Sequence, residues 1–330
     1  MIAVRCTRHG PPEDLVLQEL PDPAPGPDDV VVIVHAAAVN FTDLLFVADG
    51  YQVSLPAPFT PGSEFAGVVA EMGERVTRVA VGDRVAGQGM AGAFAERILR
   101  PADSVTPLAP DADLVAAAAS GVTFATAYSA LRSVADVRPG EWVAVTGAAG
   151  GVGSAAVVLG KKLGARVLAV VSSPAKAEFC AALGADAVLD LSRTEDVRSR
   201  VRELCGGPDV VLDQVGGELA EVLLRATRRR GRFVTVGFAS GVIPRIPLNL
   251  VLLKDVTVKG FEIRGFTEHE PEAAARDALE LEALRDKGIG AAVSARFPLE
   301  RVTEALRTVA DRTATGKVVL TTAAGRAGAP

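Results

Sequence analysis

This chain is short of the residues that ligate metals and form cross-links. Its 330 residues include three cysteines and three histidines. Cys6, Cys180 and Cys205 lie far apart and form no C-x-x-C pair, so buried or inert thiols in a reducing cytoplasm are expected. His9, His35 and His269 fall in no metal-ligand spacing, so a zinc site has poor raw material. Long apolar runs are also missing: none would cross a bilayer, and the start, Met1 to Cys6, lacks the apolar core of a signal peptide. A cytoplasmic protein without a membrane partner is the expectation. Positive charge is not in excess either. With 35 Lys and Arg against 40 Asp and Glu, the net charge is −5, which gives no electrostatic case for nucleic acid. The one basic run, Arg228-Arg229-Arg230, precedes Gly231 and reads as a helix C-terminus, where cations suit the dipole.

What is present centres on Val143-Ala-Val-Thr-Gly147-Ala-Ala-Gly150-Gly151-Val152-Gly153. The apolar run Trp142 to Val145 reads as a strand buried on both faces. A glycine turn follows, and then a helical pattern from Ser154. Strand, glycine turn and helix make the first half of a βαβ unit, the setting a dinucleotide fingerprint needs. The spacing is G-x-x-G-x-x-G in place of the stricter G-x-G-x-x-G. Gly150, Gly151, Val152 and Gly153 would bring backbone amides to a pyrophosphate, helped by the helix dipole. The second strand, Arg166 to Val171, leads into Ser172-Ser173-Pro174. NAD-binding units carry an acid about 20 residues past the turn to bind the ribose hydroxyl. Here the region holds Ser172 and Ser173, with Lys176 within reach. Hydroxyls plus an ammonium suit a 2′-phosphate, so the cofactor expected is NADPH. Arg193 is a second candidate for that phosphate.

Taken in order, residues up to about Leu108 are β-rich and punctuated by Gly73, Gly82-Asp83 and Gly87, which suggests a small β-barrel domain. The prolines from Pro21 to Pro27 read as a connecting loop. From Asp113, a helix cap, an alanine-rich helical stretch runs towards Leu131. Strands and helices then alternate through Val256–Gly260, as in a doubly wound parallel sheet. The last part, with a long helix from Pro271 to Lys287, resembles no further βαβ unit and is assigned to the first domain. The expected division is a catalytic domain of residues 1–118 and 261–330 and an inserted NADPH-binding domain of residues 119–260. The Gly/Ala/Pro tail after Thr322 is expected to fray.

With these residues in view, the sequence resembles the medium-chain dehydrogenase/reductase superfamily, and within it the zinc-free NADPH:quinone oxidoreductase branch. The matching segments include Val39-Asn40-Phe-Thr-Asp43, Pro61-Gly62-Ser63-Glu64-Phe-Ala-Gly, Gly82-Asp83-Arg84-Val85, Thr126-Ala-Tyr128, Gly147 to Gly153, Asp213-Gln-Val-Gly-Gly217 and Thr315-Gly-Lys-Val-Val319. The resemblance implies a GroES-like domain formed by both chain ends, an inserted Rossmann domain and a homodimer through the Rossmann sheets. Zinc members of the superfamily carry a cysteine where this chain has Asn40 and a histidine where it has Ser63. The structural-zinc cysteine quartet is absent as well. Glu64 alone cannot hold zinc, so the comparison with those members implies no metal. Asp43 and Glu64 then read as structural, one tethering a loop and the other pairing with a basic residue.

Without a strong Lewis acid to polarise a plain ketone, hydride delivery to an already activated acceptor is favoured: a quinone or an α,β-unsaturated carbonyl. The cofactor carries that chemistry and the protein orients it. Tyr51, one of two tyrosines, resembles the proposed proton donor of enoyl-thioester reductases in this superfamily; the alternative is a loop tyrosine that only packs at the site. By the same resemblance Asn40 contacts the nicotinamide or its ribose, or else merely caps a loop. Thr126 and Tyr128 reach the cofactor or pack inside their helix. Phe238 offers backbone contacts beyond a strand's carboxyl end. The competing activities are an enoyl-thioester reductase and an NADPH-binding protein with little catalysis.

Overall fold

Two units divide the residues that the computed structural model describes, 1–327: Met1–Val122 together with the chain from Gly290 onward, and Thr123–Ile289. The first begins with an antiparallel hairpin of β1 (Ile2–Arg5) and β2 (Val16–Glu19). After the proline-rich loop come β3 (Asp29–Val39), β4 (Glu64–Met72), β5 (Arg84–Gln88), β6 (Arg97–Pro101) and β7 (Val105–Pro107). Val30, Val32 and Val34 on β3 face a core shared with Phe65, Val85 and Phe94. A register shift between Val34 and Ala36 then flips the alternation. Ala36 and Ala38 consequently face a second cluster, where small side chains let helix Leu114–Ala119 pack closely. Asp113 caps that helix as expected, accepting from the amides of Val115 and Ala116. The alanine-rich stretch is not one helix. It breaks at Ser120, resumes as helix Val122–Ser129 and ends in a π-helical turn, Ala130–Val134.

The second unit holds β8 (Trp142–Thr146), β9 (Arg166–Val171), β10 (Ala187–Asp190), β11 (Val210–Asp213), β12 (Arg232–Thr235) and β13 (Thr257–Gly260). All pair in parallel, in the order β10-β9-β8-β11-β12-β13. That is the doubly wound order, with its switch point between β8 and β11. The strands read as unbroken apolar runs because both faces are covered. Ala144, Leu168, Val211 and Phe233 pack with Val201, Leu223 and Leu224 from the helices on one side. The alternate residues Val143, Val145, Val167 and Ala169 are equally buried.

The chain then returns to the first unit with β14 (Val293–Pro298) and β15 (Lys317–Thr321). β15 lies antiparallel to β3, with Val318 opposite Val39, and completes the sheet order β14-β15-β3-β4-β5-β7, β6 pairing with β3. The division between the units differs from the expected one at its second edge, which falls after Ile289 and not after residue 260. Side chains explain the difference. Helix Pro271–Arg285 is tied to the second unit: Tyr128 donates to Glu280 at 2.6 Å, Arg132 pairs with the same carboxylate, and Ser133 donates to the buried Asp277. The tail expected to fray starts with a short helix, Ala323–Ala327, and residues 328–330 lie outside the described residues. No described helix is long and apolar enough to cross a membrane.

Candidate active site

In the second unit, the carboxyl ends of adjacent strands gather most of the expected cofactor residues. β8 runs into the glycine turn. Gly147 adopts the left-handed conformation at φ 55°, and helix Gly151–Lys162 starts behind Gly150, which provides no side-chain cap. The first-turn amides of Gly151, Val152 and Gly153 therefore have no intrahelical acceptor, as at any helix start. Gly153 has to lack a Cβ. One placed there would overlap the Gly147 carbonyl oxygen and lie 2.7 Å from Ala148 Cα, so the turn could not fold back onto the helix. This is a cradle shaped for backbone contact with an anion.

One strand over, β9 ends at Val171. Ser172 is exposed, and Lys176 Nζ donates to its hydroxyl at 3.1 Å. Ser173 precedes helix Pro174–Ala182 and makes no side-chain cap bond. Asp190, which ends β10, pairs in register with Val171, so Arg193 is at the same edge of the sheet. Its guanidinium is mostly exposed, 3.9 Å from Asp190. Ser172, Lys176 and Arg193 thus share an edge, with hydroxyl and ammonium in mutual contact. Past β12, Phe238 is partly exposed; its carbonyl accepts from Gly241. Thr126 is buried within helix Val122–Ser129. Tyr128 is an interior residue: its hydroxyl is taken by Glu280, and burial, then that acceptor, push its pKa up.

Gln214 escaped the sequence reading. Its Nε2 donates to the Thr146 carbonyl at 2.7 Å, and its backbone amide donates to Thr146 Oγ1, whose hydroxyl in turn donates to the buried Asp213. Gln214 therefore braces the glycine turn from the neighbouring strand. Its position at the end of an apolar strand, before Gly216-Gly217, was the available signal.

In the first unit, Asn40, Asp43, Ser63 and Glu64 do come together, around a residue assigned no role from sequence. Lys317 Nζ donates to Val39 O at 3.2 Å, Asn40 Oδ1 at 2.6 Å and Glu64 Oε1 at 2.8 Å. Lysine and glutamate side chains are 2% and 1% exposed. Asn40 Nδ2 donates to Ser63 Oγ at 3.1 Å and Glu64 Oε1 at 2.9 Å, while Glu64 Oε2 accepts from Val122 N. Asp43 accepts from the Asn40 amide at 2.7 Å and so ties down the start of helix Phe41–Val47. Burial raises its pKa to about 7, against the pull of that amide, the Ser63 hydroxyl and the Lys317 charge. The tether expected of Asp43 and the basic partner expected of Glu64 are both present. Beyond the helix's far end stands Tyr51, its ring edge-on to Phe46 at 4.9 Å.

Comparison with known proteins follows the same division. Residues 26–111 match the sequence profile of the family described as alcohol dehydrogenase GroES-like domain, and residues 151–280 that of zinc-binding dehydrogenase. A quinone oxidoreductase-like protein 2 homolog from Nematostella vectensis is 35% identical over 328 residues, spanning 97% of this chain and 88% of that protein. The quinone oxidoreductase of Escherichia coli, solved with NADPH, superposes with a TM-score of 0.88 at 29% identity, covering 97% of this chain and 100% of that one. An enoyl reductase, CurK, superposes with a TM-score of 0.86 at 28% identity, over 97% and 99%. The zinc in the second profile's description finds no fitting donor set among the described residues. Among the described residues no three His, Cys, Asp or Glu groups are placed to share a metal ion, and the oxygens of Glu64 are already engaged by Lys317, Asn40 and the Val122 amide.

Proposed function

Because the chain belongs to the quinone oxidoreductase branch of the medium-chain dehydrogenase/reductase superfamily, we propose that it passes hydride from NADPH to a quinone or an α,β-unsaturated carbonyl without a metal ion. The observation that carries this reading is the glycine cradle with the Ser172–Lys176 contact one strand away. The amides of Gly151, Val152 and Gly153 would hold the pyrophosphate, with Gly150 keeping the approach open. Ser172, Ser173 and Lys176 would hold the 2′-phosphate, with Arg193 as the outer cation. Thr126, Asn40 and the Phe238 backbone are the further contacts proposed. Bound NADPH supplies the hydride; the protein's own task is to orient the reactants, exclude water and deliver a proton. Tyr51 is the proposed proton donor, held by its packing on Phe46. A conjugated acceptor needs no Lewis acid, because delocalisation spreads the developing charge.

The deciding experiment follows NADPH oxidation with a naphthoquinone and with crotonyl-CoA. Turnover of the quinone, unaffected by chelators, is the expected result. Turnover of crotonyl-CoA alone would favour the enoyl-thioester reading, which the likeness to an enoyl reductase supports. Tight binding of NADPH with turnover of neither would point to a binding protein.

A homodimer belongs to the same proposal. β13 ends the parallel sheet with its outer edge unpaired among the described residues. Val258 on that strand and Leu248, Leu252 and Leu253 nearby are exposed. An open apolar edge of this kind favours pairing with a second copy.

A further inference from the structure

We propose that Lys317 is a positioning residue of the first unit: its ammonium decides which way the Asn40 carboxamide faces, so that Asn40 can accept a hydrogen bond from a ligand and cannot donate one. That a ligand meets Asn40 at all rests on the oxidoreductase reading; the orientation of the amide does not. Lys317 has three ammonium hydrogens, and Val39 O, Asn40 Oδ1 and Glu64 Oε1 receive them. An ammonium only donates, so the amide oxygen must face it. The two hydrogens on Asn40 Nδ2 go to Ser63 Oγ and Glu64 Oε1. Flipping the amide would set its NH2 against the ammonium and its oxygen against the carboxylate, two unfavourable contacts in a site almost closed to water. Both amide hydrogens are spent, so what the carboxamide can still offer a ligand is a lone pair of Oδ1, which also faces the Asp43 amide in the capping box.

The chemistry that lone pair can recognise is narrow. A ribose hydroxyl or a carboxamide N–H fits, because each donates. The carbonyl oxygen of an acceptor does not, nor does the anion formed on it by hydride addition. Asn40 is therefore an orienting contact and not an electrophilic catalyst. The register of the sheet fixes the device. With Val318 opposite Val39, Lys317 is brought to the end of β3 beside Asn40, and Asp43 holds the backbone amide of the same residue from the other side.

The test separates positioning from simple charge neutralisation. Lys317→Met alone leaves Glu64 without its cation and is expected to lose both Tm and rate. In Lys317→Met/Glu64→Gln the uncompensated charge is gone, and Tm is expected to return close to the wild-type value. If Lys317 positions Asn40, kcat for naphthoquinone reduction stays down by about tenfold in that pair while KM for NADPH moves less than about twofold. The Asn40 side-chain amide hydrogens, identified in nitrogen–proton spectra by their loss in Asn40→Ala, should also exchange with water about tenfold faster than in wild type. Recovery of kcat together with Tm, or unchanged exchange of the Asn40 amide, would overturn the proposal. Should the single variant not fold, the pair carries the test. Should the wild type reduce no acceptor, the oxidoreductase reading falls, and the exchange measurement still decides the role of Lys317.

Discussion

At the scale of single residues, two groups make separable demands on solution conditions. Lys176 touches the Ser172 hydroxyl at 3.1 Å at the edge where a 2′-phosphate would sit. A charge-assisted hydrogen bond contributes about 1.5–3 kcal/mol, so Lys176→Ala should weaken NADPH by about that amount and leave NADH nearly unchanged. Fluorescence titration of both cofactors checks it; equal losses would show that Lys176 does not read the phosphate. Asp43 makes the second demand. Its pKa is raised to about 7 by burial, opposed by the Asn40 amide, the Ser63 hydroxyl and the Lys317 charge. A carboxyl raised on folding binds more protons in the native than in the unfolded state between its ordinary value and about pH 7. Its contribution to stability is therefore full below the ordinary carboxylate pKa and is lost as pH rises through about 7. Asp43→Asn cannot ionise. The difference in unfolding free energy between this variant and wild type, from denaturant titration, should shift in favour of the variant from pH 5 to pH 8, by an amount on the order of a few kcal/mol. A difference that stays flat across that range would show that Asp43 does not titrate there.

At the scale of elements, the glycine turn and the helix behind it work as one piece. A Cβ on Gly153 meets the backbone of Gly147 and Ala148, which cannot rotate aside, and Gln214 Nε2 stands 2.8 Å away on the third side. Gly153→Ala should therefore push turn and helix apart, destabilise the second unit by about 1–3 kcal/mol and weaken NADPH and NADH alike. This distinguishes it from Lys176→Ala in the same titration. The turn was legible in the sequence because its constraints are local: an apolar run buried on both faces, then glycines where the backbone must approach a ligand. The alternation that gave the parallel sheet was legible for the same reason. Lys317 was not. A lysine at the start of a short strand looks like a solvated one, and only the pairing of β15 with β3 brings it against Asn40 and Glu64, distant in sequence. The attachment of helix Pro271–Arg285 was hidden in the same way, since it depends on Tyr128, Arg132 and Ser133 finding Glu280 and Asp277.

At the scale of the whole molecule, the open question is what covers the far edge of the parallel sheet. On the β10 side the edge is a short strand whose flanks carry Arg193, Ser192 and Asp190, polar groups that discourage pairing. On the β13 side the edge carries Thr257 and Val258, and near it Leu252 and Leu253 are 79% and 69% exposed. Fully burying a leucine or valine side chain is worth roughly 1.5–3 kcal/mol, so a few such residues on each of two copies, joined by main-chain pairing, would outweigh much of the cost of association. The chain's net charge of −5 makes two copies repel weakly at long range, and an added acidic pair at the contact would turn that into a local barrier. Val258→Glu with Leu252→Glu should therefore shift the protein from dimer to monomer in sedimentation equilibrium. Because neither residue belongs to the glycine cradle or to the Ser172–Lys176 edge, the affinity for NADPH should change little. A wild-type protein that sediments as a monomer at micromolar concentration, or a double variant that stays dimeric, would remove this edge as the contact between copies.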